Sequence, residues 1–419
     1  MRISLQLRLM VVAPGNVFFL VNTILKSQGI TLDARFGINM RPNYIVEYDM
    51  PKACIHACPK QAINYKNKTQ KRSRYIHPDI SVKELGVPKK SKYKLRKENF
   101  NMNSKPKLMK RVVYNQHGGP EVLEIQETEI PQANVGEVLV RMIATSINAG
   151  ELIVRKGNPA ASIIHRNFPK TLGLDVVGIV DKIGPNVTDF KVGDMVWGGT
   201  GPKSNSNAQY VVMNVKNLSL MPTGIDPIKA AAFPCAGNTA LTALVDKGKI
   251  KAGDRVLIRG AGGVGITGVQ IAKALGAHVT VISSKDTLVA AKSYGADEVF
   301  DYRKTSPKEL GLFDIIFDTA GIGLEAYRKN LKPNGKLLTV VISNIFKCIL
   351  SSWRGKHRTR LVVAFYTRKS LERLAQMVQN EDIVPIIDSV YPMEQIVEAH
   401  RHAEKRGIVG KIIITIPQD

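Results

Sequence analysis

From Arg111 onward, apolar and polar residues alternate with a period close to two. RVVYNQHGGPEVLEIQETEIP reads as two strands around a Gly-Gly turn, and GEVLVRMIATSINAG reads as a further strand. LGLDVVGIVDKIG and DMVWG extend the pattern, with turn signals at GPN and VGD. The stretch Arg111 to Leu220 is therefore expected to be β-rich and barrel-like. After Met221-Pro222 the period changes. Helical segments (DPIKAAAFPCAGNTALTALVDKG, VGITGVQIAKALG, TLVAAKSYG, LEAYRKNL) alternate with strands (RVLIRG, HVTVIS, EVFDY, FDIIFDTA, GKLLTVVIS). That alternation predicts an α/β, doubly wound parallel sheet. The tail returns to short strands, IVPIIDSVYP and KIIITI, around helix MEQIVEAHRHAEK.

The chain before Arg111 lacks this periodicity. Residues 60–111 form a basic, polar run that reads as linker or disorder. Residues 1–101 carry 19 Lys+Arg against 6 Asp+Glu, about half of the net charge of +25 in a quarter of the 419 residues. No nucleic-acid recognition motif accompanies this charge, so no nucleic-acid partner is expected. Leu9 to Leu25 is the one apolar run of near-membrane length, but Pro14-Gly15-Asn16 interrupts it, and no membrane role is expected. The four cysteines, Cys54, Cys58, Cys235 and Cys348, are too scattered for a disulfide framework and fit a reducing, cytoplasmic setting.

The chemistry begins at VLIRGAGGVGITGVQIAKALG. Gly260, Gly262 and Gly265 give G-x-G-x-x-G between a strand and a helix, with a second strand about twenty residues on. The first glycine permits the turn, the second lets the backbone approach a pyrophosphate, and the third allows the helix to pack on the strand. The backbone of Gly263, Val264 and Gly265 then opens the helix toward the anion. NAD-specific sites end the second strand in an acid that binds the ribose. Here it ends in Ser283, Ser284 and Lys285, a donor and cation set suited to the 2′-phosphate of NADPH. Asp286 lies past the strand end and is expected to cap the following helix.

Several stretches, in order, resemble the medium-chain dehydrogenase/reductase superfamily in its zinc-independent quinone oxidoreductase branch: NQHGGPEVLEI, NAGELIVRKG, the segment ending in VGDMV, AAAFPCAGNTALTAL, AGGVGITGVQIAKALGA, DTAGIG and GKIIITI. The resemblance covers about residues 109–419. It implies a β-rich, GroES-like catalytic domain, split in sequence around a Rossmann nucleotide domain, a homodimer, and a quinone or unsaturated carbonyl as substrate. It also puts Asn148 and Thr239 near the nicotinamide and Tyr302 near the 2′-phosphate. Asn148 and Gly173-Leu174-Asp175 stand where zinc relatives carry ligands, so no metal is expected. Cys235 and Cys348 read as small buried hydrophobes, and His357, His400 and His402 as solvated surface residues. Where relatives commonly carry pocket tyrosines, this chain has Ile153 and Pro159.

The expected domains are 1–101, a basic extension, 102–222, the first GroES-like part, 223–370, the NADPH-binding domain, and 371–419, the return. CIHACPKQAI, from Cys54, resembles half of an iron–sulfur motif but lacks the other two cysteines, and no cluster is expected. Lys97-Glu98 can be encoded as a purine-rich ribosome-binding tract shortly before Met102, so for a bacterial source we expect Met102 to be the start. The expected function is an NADPH-dependent oxidoreductase. The alternatives are an alcohol dehydrogenase and a non-catalytic NADPH-binding protein.

Overall fold

The computed structural model describes residues 107–158, 168–341, 359–405 and 407–418, together with three short strands nearer the N-terminus. The chain divides into two compact units, Met1–Met102 and Asn103–Asp419. In the first, β1 (Val17–Phe19), β2 (Phe36–Ile38) and β3 (Ile63–Asn64) form an antiparallel sheet in that order. Cys54, Cys58, Pro159, Cys348, His357 and most of the basic run lie outside the described residues.

The second unit opens with strands β4 (Leu108–Tyr114), β5 (Glu124–Glu129) and β6 (Glu137–Ser146), followed by helix α1 (Ala149–Arg155). Strands β7 (Lys170–Thr171), β8 (Asp175–Ile183), β9 (Met195–Gly199), β10 (Tyr210–Asn214) and β11 (Leu218–Leu220) come next. Helix α2 (Pro234–Leu241) leads into β12 (Arg255–Arg259), α3 (Gly263–Ala274), β13 (His278–Ser283), α4 (Lys285–Ser293) and β14 (Glu298–Asp301). Then follow β15 (Phe313–Asp318), β16 (Leu331–Thr339), β17 (Thr359–Leu361), α5 (Arg368–Gln379), β18 (Ile387–Pro392), α6 (Ile396–Ala403) and β19 (Lys411–Thr415).

Strands β14-β13-β12-β15-β16-β17 pair in parallel in that order. This is the 3-2-1-4-5-6 order of a doubly wound Rossmann sheet, with the reversal between β12 and β15. The run VLI in β12 shows why the pattern is continuously apolar. Val256 and Ile258 enter one core and Leu257 the other, so both faces of the strand are buried. A second sheet runs β11-β9-β8-β6-β19-β18, with β10 also on β6. All of its pairings are antiparallel except β18 with β19. β19 pairs with β6 and carries Ile412 and Ile414 into the same core as Val138 and Val140, so the chain's end completes the sheet that residues 137–220 begin.

Three elements differ from the pattern-based expectation. The long helix expected before β12 breaks at Pro234, which lacks the N–H an internal helical position needs and instead opens α2. A π-helical turn, Thr242–Lys247, ends that segment. LEAYRKN forms a 3-10 helix rather than an α-helix. Helix α5 was not anticipated; it buries Leu371, Leu374 and Met377 along one face, and Thr367 caps it.

Candidate active site

At the carboxyl end of β12, Gly260 has φ +92°, a conformation a side chain disfavours. A Cβ on Gly265 would stand 1.9 Å from the Gly260 carbonyl oxygen, so α3 packs directly on the loop. Gly262 differs, because a Cβ there would meet nothing within 4 Å. The protein's own packing does not require a glycine at 262; its small size leaves open space in front of the helix. Gly262 is also the N-cap of α3, and no side chain caps that end. The first-turn N–H groups of Gly263, Val264 and Gly265 are thereby left for an anionic ligand, which fits a dinucleotide pyrophosphate. Two side-chain links hold the loop's base. Thr319 donates to the Arg259 carbonyl at 2.9 Å, and the buried Arg259 pairs with Asp318 at 2.7 Å.

The residues expected at the far end of the nucleotide gather at the carboxyl ends of β13 and β14. Ser283 is buried and serves the fold: its Oγ accepts from the Ala261 N–H at 3.1 Å and from the Thr287 hydroxyl at 2.8 Å. Ser284 is the N-cap of α4, and Lys285 and Asp286 follow as exposed first-turn residues. Asp286 is therefore not the cap, because α4 opens at Lys285, two residues before the expected TLVAAKSYG. Tyr302 is 49% exposed, and its N–H donates to the Ser283 carbonyl at 3.1 Å. Arg303 lies over the Tyr302 ring at 5.4 Å and donates to its hydroxyl at 3.3 Å. Sequence reasoning missed this arginine, although its place directly after Tyr302 was visible.

A buried polar cluster lies where β6, α1, β8, α2 and β19 converge. The Asn148 amide donates to the Ser146 carbonyl (3.1 Å), to Glu151 (3.1 Å) and to Asp175 (2.8 Å). Its oxygen accepts from Lys411 Nζ at 2.5 Å. Lys411 also donates to the Ile147 carbonyl at 2.9 Å, and its Cδ would lie 2.7 Å from a Cβ on Gly263, so one lysine touches both the glycine loop and Asn148. Asp175 accepts from the Ser146 hydroxyl and, at 2.5 Å, from the Cys235 N–H. Glu151 accepts from the Gly173 N–H at 3.2 Å. Asn148 thus stands between two carboxyls, which accept from its amide nitrogen, and a buried lysine, which donates to its oxygen. Burial pushes the Glu151 carboxyl up to about 7, and the neighbouring Asp175 adds to the rise. Thr239 is half-buried on α2, one turn beyond Cys235 and on the same face, rather than at the helix N-terminus. Cys235 is partly buried at the edge of this cluster, and burial pushes its thiol up to about 12.

Two family models match this chain: "Alcohol dehydrogenase GroES-like domain" over residues 134–225 and "Zinc-binding dehydrogenase" over residues 294–414. A quinone oxidoreductase of Sus scrofa is 31% identical over 328 residues, covering 74% of this chain and 98% of its own. A chloroplastic NADPH-dependent alkenal/one oxidoreductase of Arabidopsis thaliana is 30% identical over 326 residues, covering 74% and 80%. The structure of the quinone oxidoreductase from Coxiella burnetii superposes with a TM-score of 0.70 at 28% identity, covering 74% of this chain and all of its own.

The chain belongs to the medium-chain dehydrogenase/reductase superfamily, in its zinc-independent quinone oxidoreductase branch. The donor set of this medium-chain dehydrogenase/reductase does not fit a zinc ion. Asn148 supplies an amide where a thiolate would be needed, and the oxygens of Glu151 and Asp175 are engaged by the hydrogen bonds above. Among the described residues there is no group of three His, Cys, Asp or Glu arranged to hold a metal, and no helix long and apolar enough to cross a membrane.

The histidine expectation needs correction. His400 is fully buried against Arg155 Nη1 at 3.3 Å, and burial pushes it down to about 3. His402 is half-buried beside Asp388 at 3.3 Å. Helix α6 turns these residues inward because Ile396 and Ala399 share its buried face.

Proposed function

We propose that the protein is an NADPH-dependent reductase of quinones, enones or related unsaturated carbonyls, acting without zinc. The observation that carries this reading is the uncapped N-terminus of α3 behind the open space at Gly262, which suits a dinucleotide. Lys285 and Arg303, flanking Tyr302 at the strand ends, favour the 2′-phosphate of NADPH over a bare ribose. Bound there, the reduced nicotinamide supplies a hydride. The chain's own contribution is to hold the cofactor by backbone N–H groups. A donor set that does not fit zinc offers no Lewis acid for the alkoxide of a simple ketone. A conjugated acceptor spreads its developing charge and needs less help. We also read the protein as a cytoplasmic homodimer; the sparse cysteines and the habit of its branch support this.

The test is a panel of quinones, enones, aldehydes and alcohols, scored by the change in nicotinamide absorbance. Turnover of quinones or enones is expected. Turnover confined to the alcohol–aldehyde pairs would favour an alcohol dehydrogenase. NADPH binding without turnover of any acceptor would favour a binding protein.

A further inference from the structure

Lys411 opens β19, and its backbone is clamped there. Its N–H donates to the Ile386 carbonyl at 2.9 Å, and the Ile147 N–H donates to the carbonyl of the next residue, Ile412, at 3.0 Å. The side chain is buried and has two separate contacts. Its apolar stem lies on Gly263, the first residue of α3, with Cδ only 2.7 Å from where a Cβ on that glycine would stand. Its ammonium donates to the Ile147 carbonyl at 2.9 Å and to the Asn148 oxygen at 2.5 Å. The second bond fixes the Asn148 amide, since a reversed amide would turn its NH2 on the ammonium and its oxygen on Glu151 and Asp175. Both acceptors of Lys411 are neutral, and among the described residues the two carboxyls reach it only through that amide. A buried cation with no direct ion pair therefore sits beside the uncapped N-terminus of α3.

We propose that Lys411 is a positioning residue for the dinucleotide site, holding the Asn148 segment in register with the first turn of α3 and sharing one positive charge between that anion site and the buried cluster. The inference rests on the dinucleotide reading above. The loop itself is backbone and carries no titrating group, so any pH dependence of binding has to reach it through a side chain. An anion held at α3 draws on the same charge that steadies the carboxyls, and Glu151 then keeps its proton more tightly. Burial, with Asp175 of β8 adding and Lys411 of β19 opposing, already places this carboxyl at about 7. Binding therefore takes up part of a proton from solvent, and affinity falls as pH rises above 7. The other ionisable groups around Glu151 do not titrate in this range. Burial pushes Cys235 of α2 and Tyr114 of β4 up to about 12 and holds Tyr366, on the loop after β17, well above its ordinary range. Arg155, one turn along α1, is paired with Glu404.

The test is calorimetric titration of the full chain with NADPH and with NADH at about pH 7.5, in buffers of different ionisation enthalpy, which counts the protons taken up per cofactor bound. Wild type is expected to take up a fraction of a proton with either cofactor. Lys411→Met keeps a stem on Gly263 and removes the ammonium. It is expected to weaken NADPH and NADH alike, by roughly tenfold, and to abolish the uptake. A lysine that served stability alone would lower the melting temperature and leave the uptake unchanged. Glu151→Gln keeps Lys411 in place and is expected to abolish the uptake too, which decides the matter if Lys411→Met does not fold. No uptake by a wild type that binds cofactor, or undiminished uptake in either folded variant, overturns this inference alone. A wild type that binds neither NADPH nor NADH overturns the dinucleotide reading and this inference with it.

Discussion

The glycine loop and the buried polar cluster are neighbours built on different terms. The loop is made of backbone: Gly260 supplies the turn, Gly262 the open space and Gly265 the close packing, all within six residues. The cluster is made of side chains drawn from Asn148, Glu151, Asp175 and Lys411, which only the completed fold brings together. A backbone site tolerates little change in shape and is indifferent to pH. A side-chain site with two carboxyls around one lysine responds to pH and to the loss of any single partner.

The contrast is broken most sharply within the loop itself. Gly265→Ala drives a Cβ into the Gly260 carbonyl, a backbone atom held by the turn, and should cost about 3 kcal/mol of stability; urea unfolding measures it. Gly262→Val should leave that unfolding curve unchanged, because nothing stands within 4 Å of the new Cβ, yet should weaken NADPH binding beyond roughly a hundredfold. If the two variants lose stability equally, the division of labour among the glycines is wrong.

The buried cluster makes the next largest prediction. Between pH 4.5 and 7, the folded Glu151 carboxyl holds a proton that the unfolded chain has released, so this group makes stability fall as pH rises through the window and level off above it. From pH 5 to 8 the loss should be roughly 2 kcal/mol. Glu151→Gln should remove it. His400 acts with the opposite sign, since its depressed value makes stability fall as pH drops below 6.5. Subtracting the Glu151→Gln curve from the wild-type curve isolates the carboxyl. A flat difference between pH 5 and 8 would show that Glu151 ionises normally.

The smallest effect belongs to the exposed end of the nucleotide site. Lys285→Ala should weaken NADPH binding roughly tenfold, the low end for a charge-assisted contact, with NADH nearly unaffected. Equal losses for both cofactors would show that Lys285 does not read the 2′-phosphate.

The same division explains what could be read from the residues alone. The Rossmann alternation and the glycine turn between β12 and α3 follow from local pattern, since each depends on neighbours in sequence. Asn148 and Tyr302 entered through stretches that resemble the family. Lys411 was not legible, because a lysine in GKIIITI carries no signal until β19 returns to β6. His400 was misread for the same reason: which face of α6 is buried depends on sheet packing, not on the basic residues around it.

The central claim is NADPH-driven reduction of a conjugated carbonyl. Its most direct test is the initial rate of reduction of a quinone and of an enone by the full chain, with NADPH and NADH compared side by side. Turnover of at least one acceptor, with kcat/KM for NADPH exceeding that for NADH by roughly tenfold or more, is the result we predict. A preference for NADH, or no turnover of either acceptor with either cofactor, would contradict it.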